Sequence, residues 1–328
     1  MTEPAEPAAP ALPAAPAALP NSPAVPTTPV AGGSSAGRLN VLPPEMLIIA
    51  AAVSVQCGAG LATSLLREFG PLPIVTMRIV FGTILLLIFR PARIRGATRS
   101  ALLSCVALGV ILAVMNSTFY LALTRIPLGV AVTIEFCGPL TLAVLGSRRW
   151  LDLVWVVLAA AGIYALAGGR LVADDAIGIV AVFIAGFCWA LYILVGRRMS
   201  QYWPDGRGLS VAMVVASLLV MPVTLAFSDV RPVLAAPLAV AGGMVVAILS
   251  SAIPYTLEIA ALRRLPAATF GVLMSLEPAI AALVGFILLG QVLHTTDLLA
   301  IATVAVASAG ASLSARRLAT TPGELEAT

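Results

Sequence analysis

Arg78, Glu135 and Glu277 are ionisable residues set within long apolar runs of the chain. Glu135 lies about 20 Å along a helix from the arginine pair at 148 and 149, and Glu277 stands at a similar remove from Arg264. If these runs cross a bilayer, both carboxyl groups fall well inside a hydrocarbon layer about 30 Å thick. An ionised, unpaired carboxylate is costly there. Each must therefore be protonated, paired or hydrated, and each of those states suits a group that exchanges a proton or binds a substrate ammonium. The plainer alternatives are a protonated Glu135 hydrogen-bonded to a neighbouring helix, and a Glu277 that caps a helix break or pairs with Arg78. Arg78, five residues after Pro73, could clamp a substrate carboxylate bidentately or neutralise a buried Glu.

Further polar groups share these runs. Asn116 and Tyr120 are four apart, and Tyr255 and Glu258 three apart, so each pair lies on one helix face. Glu258 is only about 8 Å from Arg263, which suits either the inner mouth of a cavity or an interfacial acid pairing with that arginine. Gln56, Trp189 and Tyr192 could line the same space, although aromatic residues in such runs more often pack. Pro139 and Pro278 are expected to break their helices, because a proline leaves the carbonyl four residues earlier without a donor, here at Glu135 and Met274. Such carbonyls are tolerated in a membrane only where protein or a water-filled cavity meets them.

Other chemistries find little support. Cys57, Cys105, Cys137 and Cys188 show no CxxC spacing and the chain has one histidine, His294, so no metal or disulfide framework is expected. No Gly-rich phosphate loop, nucleophile elbow or metal-protease motif is present, which leaves neither an enzyme nor a cofactor reading. All 19 basic residues are arginines scattered in ones and twos at the ends of apolar runs, a pattern that reports topology and not nucleic-acid binding.

The elements that must position these residues follow from composition. With 60% hydrophobic and 10% charged residues, and a mean hydropathy of +1.04, the chain cannot cover a soluble globule. An all-α polytopic membrane protein is expected, its partners the lipid bilayer and a small molecule. Residues 1–44 hold 11 of the 24 prolines and read as a disordered cytoplasmic tail. Ten apolar segments follow, at about 46–65, 73–89, 101–124, 128–146, 151–168, 177–195, 209–227, 238–262, 267–289 and 297–314, with a short tail over 315–328. With the N-terminus inside, fourteen loop arginines fall on the cytoplasmic side and four on the other, which places both termini in the cytoplasm. A lag of 139 residues aligns Ala122-Leu123-x-Arg125-x-Pro127 with Ala261-Leu262-x-Arg264-x-Pro266, and then Pro139 with Pro278. Each half, 45–172 and 173–314, would hold five spans, an odd number, so the repeat must be inverted in the membrane.

The stretches PLGVAVTIEFCGPL (127–140), SRRWLDLVWVVLA (147–159), CWALYILVGRR (188–198) and AILSSAIPYTLEIAALRRLPAATFGVLMSLEPAIAAL (247–283) resemble the EamA family of the drug/metabolite transporter superfamily. Within it they are most similar to the bacterial inner-membrane branch that exports threonine and homoserine. The resemblance runs from about residue 46 to 314 and implies ten helices in two inverted five-helix repeats around a central cavity of alternating access. It also implies export of small metabolites coupled to protons. Gln291, in LGQVL, departs from the Glu usual in the family. Exporters of other metabolites or drugs share the fold, so the substrate stays open. A membrane scaffold is the rival from another class, but a scaffold has no reason to keep Glu135, Glu277 and Arg78 in hydrocarbon. The arginine asymmetry makes a direct prediction: a reporter fused after Thr328 scores as cytoplasmic, and a periplasmic score would exclude ten spans.

Overall fold

The structure, a computed structural model, describes residues 42–92, 94–145, 150–166, 175–203, 206–262 and 273–319. Nearly all of the Pro/Ala-rich tail and the arginine pairs 148/149 and 263/264 lie outside the described residues. Those described are helical, with no strand among them. The elements are α1 (Pro44–Phe69), α2 (Pro71–Phe89), α3 (Arg99–Leu123), α4 (Leu128–Glu135), α5 (Cys137–Leu145), α6 (Trp150–Leu166), α7 (Ala176–Tyr202) and α8 (Arg207–Phe227), followed by α9 (Arg231–Leu234), α10 (Pro237–Ala247), a π-helical turn (Ile248–Ala252), α11 (Ile253–Leu262), α12 (Glu277–Leu289) and α13 (Thr295–Ala319).

Helix is the form such sequences must take in lipid, since it satisfies each backbone group within its own segment. Proline opens α1, α2 and α10 and stands second in α12, positions whose amides have no intrahelical acceptor anyway. Gly70, at φ 78°, makes the single-residue turn from α1 into α2, and the Thr98 hydroxyl accepts from the Ala101 amide at 3.2 Å to cap α3. Helices α1, α2, α3, α7 and α8 are each long and apolar enough to cross a membrane, and shorter apolar helices lie at 128–141, 237–252, 277–289 and 295–310. The surface matches: Phe89, Phe227 and Leu238 are 74%, 79% and 86% exposed, an apolar exterior suited to lipid.

Three interruptions shape the interior. The fourth apolar segment breaks at Phe136, between Glu135 and Cys137, with Pro139 in the first turn beyond. The ninth breaks at Ser275–Leu276, and α12 restarts at Glu277-Pro278. Both breaks fall where the prolines require them. A third, inside the eighth segment, was not expected: the Ile253 amide reaches back five residues to the Ile248 carbonyl. The next donor in that register would be Pro254, which has none. Its would-be acceptor, the Leu249 carbonyl, instead takes the Ser54 hydroxyl of α1 at 2.8 Å.

Glycines let helices meet at these points. A methyl on Gly186 of α7 would lie 2.7 Å from the Glu135 carbonyl, and one on Gly138 of α5 would overlap the Gly186 carbonyl. Gly58 of α1 abuts Ser250 in the π turn, and Gly129 of α4 lies on the backbone of Ala282 in α12. Around the centre, α1 packs on α10, the π turn, α11 and α12, whereas α7 packs on α3, α4 and α5. Helix α2 packs on α8 and α10, α3 on α8, α4 on α12, and α6 on α13. Hydroxyl pairs Thr76–Thr224 at 2.6 Å and Thr83–Ser217 at 2.9 Å stitch α2 to α8. Gly138→Leu should force two backbones apart and cost about 3 kcal/mol or more. Thermal unfolding in detergent is expected to show a clear drop for it and none for Gly196→Ala, where nothing lies within 4 Å of the added methyl.

Candidate functional site

One cavity of about 200 Å³ gathers most of the ionisable groups that the sequence singled out. Arg78 of α2, Asn116 of α3, Glu135 of α4, Glu258 of α11 and Glu277 of α12 all line it, with Gln56 of α1 and Trp189 and Tyr192 of α7. The helix breaks position the two deepest acids. Glu135 is the last residue of α4, beside carbonyls that attract a cation, and Glu277 is the first of α12, where helix amides favour an anion. Glu277 is only 6% exposed and lies close enough to Glu258 and Glu135 for the three charges to interact. The cavity is thus acid-rich, with one guanidinium.

That guanidinium is held in place. Arg78 lies over the Tyr120 ring, 5.3 Å from its centroid, and is near enough to Glu135 for their charges to attract. Among the described residues no salt bridge joins Arg78 to a carboxylate, and its pairing with Glu277, an alternative raised by the sequence, does not form. A guanidinium stacked on an aromatic face keeps its N–H edge for an anion. Tyr120 is fully buried and supports Arg78 from behind without lining the cavity. The Asn116 amide donates to the Leu112 carbonyl at 2.7 Å. Phe136, at the break, meets Trp189 edge-on with ring centroids 5.0 Å apart. Pro139 and Pro278 stand at the breaks and do not line the cavity, and the Tyr255 side chain lies outside the described residues.

Sequence reasoning missed Ser250 and Pro254, which also line the cavity, as does Met274. The signal for the first two was present: Pro254 follows Ser250 by four residues, the same relation as Pro139 to Glu135.

Comparison with known proteins gives the family. Residues 176–313 match the EamA-like transporter family. The threonine/homoserine exporter RhtA of Escherichia coli (strain K12) is 39% identical over 295 residues, covering 86% of this chain and 96% of that protein. RhtA of Salmonella typhimurium (strain LT2) is 39% identical over 294 residues with the same coverage. The chain belongs to the EamA-like transporter family. One crystal structure, 21% identical, superposes with a TM-score of 0.58 over 83% of this chain and 98% of its own, a likeness of fold alone.

Gln291, the departure within this EamA-family chain, has a structural task. Its side-chain oxygen accepts the Leu128 amide at 3.1 Å and so caps α4, while Gly290, at φ 62°, ends α12. It also borders a second cavity of about 300 Å³ with Thr63, Arg67, Thr124 and Arg125, the last paired with Asp175 at 3.6 Å. Removing the cap by Gln291→Leu is expected to cost about 1 kcal/mol of stability. Gln291→Glu keeps the acceptor and adds a charge at a helix N-terminus, so it should melt at or above the parent in a thermal-shift series.

Proposed function

We propose that this chain is a secondary active exporter of small hydroxylated amino acids of the threonine and homoserine type, working by alternating access in a bacterial inner membrane with proton coupling. The observation that carries the proposal is a cavity that holds one stacked guanidinium and three carboxyl groups, two of them at the ends of broken helices. A zwitterion needs an anion site and a cation site within a few ångströms. In this reading Arg78 takes the substrate carboxylate, and Glu135, beside the α4 carbonyls, or Glu277 takes the ammonium. The carboxyl group not engaged by substrate carries the proton, taken up from one side and released to the other. The family, and curated relatives that export threonine and homoserine, support the substrate class.

Ten spans in two inverted halves, 45–172 and 173–314, complete the reading, with cytoplasmic termini and with 1–44 and 315–328 as tails. The neighbour pattern supports it: exchange the halves and α1 on α11 becomes α7 on α3, α1 on α12 becomes α7 on α5, and α2–α8 and α6–α13 map to themselves. The breaks at Phe136 and Ser275 also fall 139 residues apart, the lag of the sequence repeat. This arrangement, with broken helices meeting at mid-membrane, is the one transporters of inverted repeats use.

Glu135→Gln keeps size and hydrogen bonding but cannot ionise. If Glu135 carries the proton, the variant loses uphill, pH-driven homoserine export in proteoliposomes while exchange at equal pH survives. If it binds the ammonium, both fail, and Glu277→Gln shows the carrier behaviour instead. Normal uphill export with its pH dependence intact would remove Glu135 from the mechanism.

A further inference from the structure

Two polar groups in the cavity wall have no task in the account above. Gln56 and Ser250 are 2% and 8% exposed, and among the described residues nothing hydrogen-bonds the Gln56 Oε1 or the Ser250 Oγ. Both line the cavity that holds Arg78, Glu135 and Glu277. Buried side-chain oxygens nearly always have a partner, so each of these two carries a cost that a polar group entering from the cavity would relieve. The frame behind them is firm. Ser250 sits in the π turn that Ser54 anchors through the Leu249 carbonyl, and its hydroxyl lies against Gly58, two residues along α1 from Gln56. Any side chain at position 58 would occupy the place of that hydroxyl.

We propose that Gln56 and Ser250 form the subsite for the side-chain hydroxyl of the exported amino acid and set its preference over alkyl analogues. This rests on the export reading given above. An amide oxygen only accepts, whereas a serine hydroxyl can donate. One solute hydroxyl therefore satisfies both at once, donating to Gln56 Oε1 and accepting from Ser250 Oγ. A methyl group in the same place would leave both oxygens without a partner. A site that hydrogen-bonds a hydroxyl discriminates sharply against the isostere lacking it, which an apolar pocket cannot do in reverse. Arg78, Glu135 and Glu277 meet the carboxylate and ammonium that all amino acids share, so they cannot provide this selection.

The test is counterflow of labelled homoserine in proteoliposomes of the full-length protein, with homoserine or its hydroxyl-free isostere norvaline as the trans solute. The parent is expected to prefer homoserine. Gln56→Met and Ser250→Ala should each lower that preference by about tenfold or more, by raising the half-saturation for homoserine while norvaline is handled as well or better. Ser250→Thr, which keeps the hydroxyl, should retain it. Ser250→Ala removes one atom and decides the matter if Gln56→Met does not reach the membrane. An unchanged preference in Ser250→Ala overturns the subsite alone. A parent that exchanges neither homoserine nor threonine overturns the export reading, and the subsite with it.

Discussion

A backbone carbonyl without a donor is expensive in hydrocarbon, and this chain makes three of them on purpose with Pro139, Pro254 and Pro278. The packing of the interior answers each in turn. The Glu135 carbonyl meets the bare backbone of Gly186, close enough that no side chain fits between, and the Leu249 carbonyl takes the Ser54 hydroxyl. Met274, four residues before Pro278, lines the cavity. Glycine at 58, 138 and 186 lets the helices approach to backbone contact around these points. The cavity lining and the helix packing meet at the same three prolines.

The breaks also decide where charge can reside. Interrupting a membrane helix exposes two helix ends of opposite polarity at mid-depth, and this chain sets a carboxyl group at each kind of end. Three carboxyl groups against one guanidinium would carry a net negative charge if all were ionised, and protons or an ammonium in the cavity would bring it near neutrality. Exchange of one for the other in a small cavity is the physical content of the proposed antiport. Tyr120 contributes by carrying Arg78 over its ring, and among the described residues no salt bridge joins that guanidinium to Glu135.

Much of this was legible in the sequence because hydrocarbon is an unforgiving solvent. An ionisable residue in an apolar run has few excuses, so Arg78, Glu135, Glu258 and Glu277 stood out by their place in such runs, Asn116 was added by helical spacing, and the structure brings them to one cavity. The breaks near Glu135 and Glu277 followed from proline chemistry. Tyr120 was grouped with Asn116 by helical spacing, yet it faces Arg78 from behind, because spacing gives a face and not the neighbour on it. The π turn escaped notice, since a proline can break a helix or widen it, and which occurs depends on a donor from elsewhere, here Ser54, far away in sequence. Gln56 and Ser250 were faint for a related reason: an uncharged polar residue in a membrane helix usually bonds its own backbone, as Thr63 and Thr133 do, and only the fold reveals that these two do not.

The seams between the two halves differ in kind, and the difference bears on how such a molecule could move. Between α2 and α8 the Thr76–Thr224 and Thr83–Ser217 hydroxyl pairs cross the seam, with Thr224 also reaching the Leu72 carbonyl at 3.3 Å. Between α4 and α12 the contact is Gly129 on Ala282, apolar and smooth, joined by one side-chain bond from Gln291 to the Leu128 amide. Sliding along the first seam would break several buried hydrogen bonds at once, whereas parting the second exposes small apolar surfaces and one amide at a helix end. In the proposed alternating access, one half rocks against the other about a region that stays closed. That proposal, on these contacts, puts the fixed region at α2–α8 and the opening one at α4–α12, whose ends carry Glu135 and Glu277. Opening the cavity there would move the two carboxyl groups relative to Arg78, so that access and charge balance would change together.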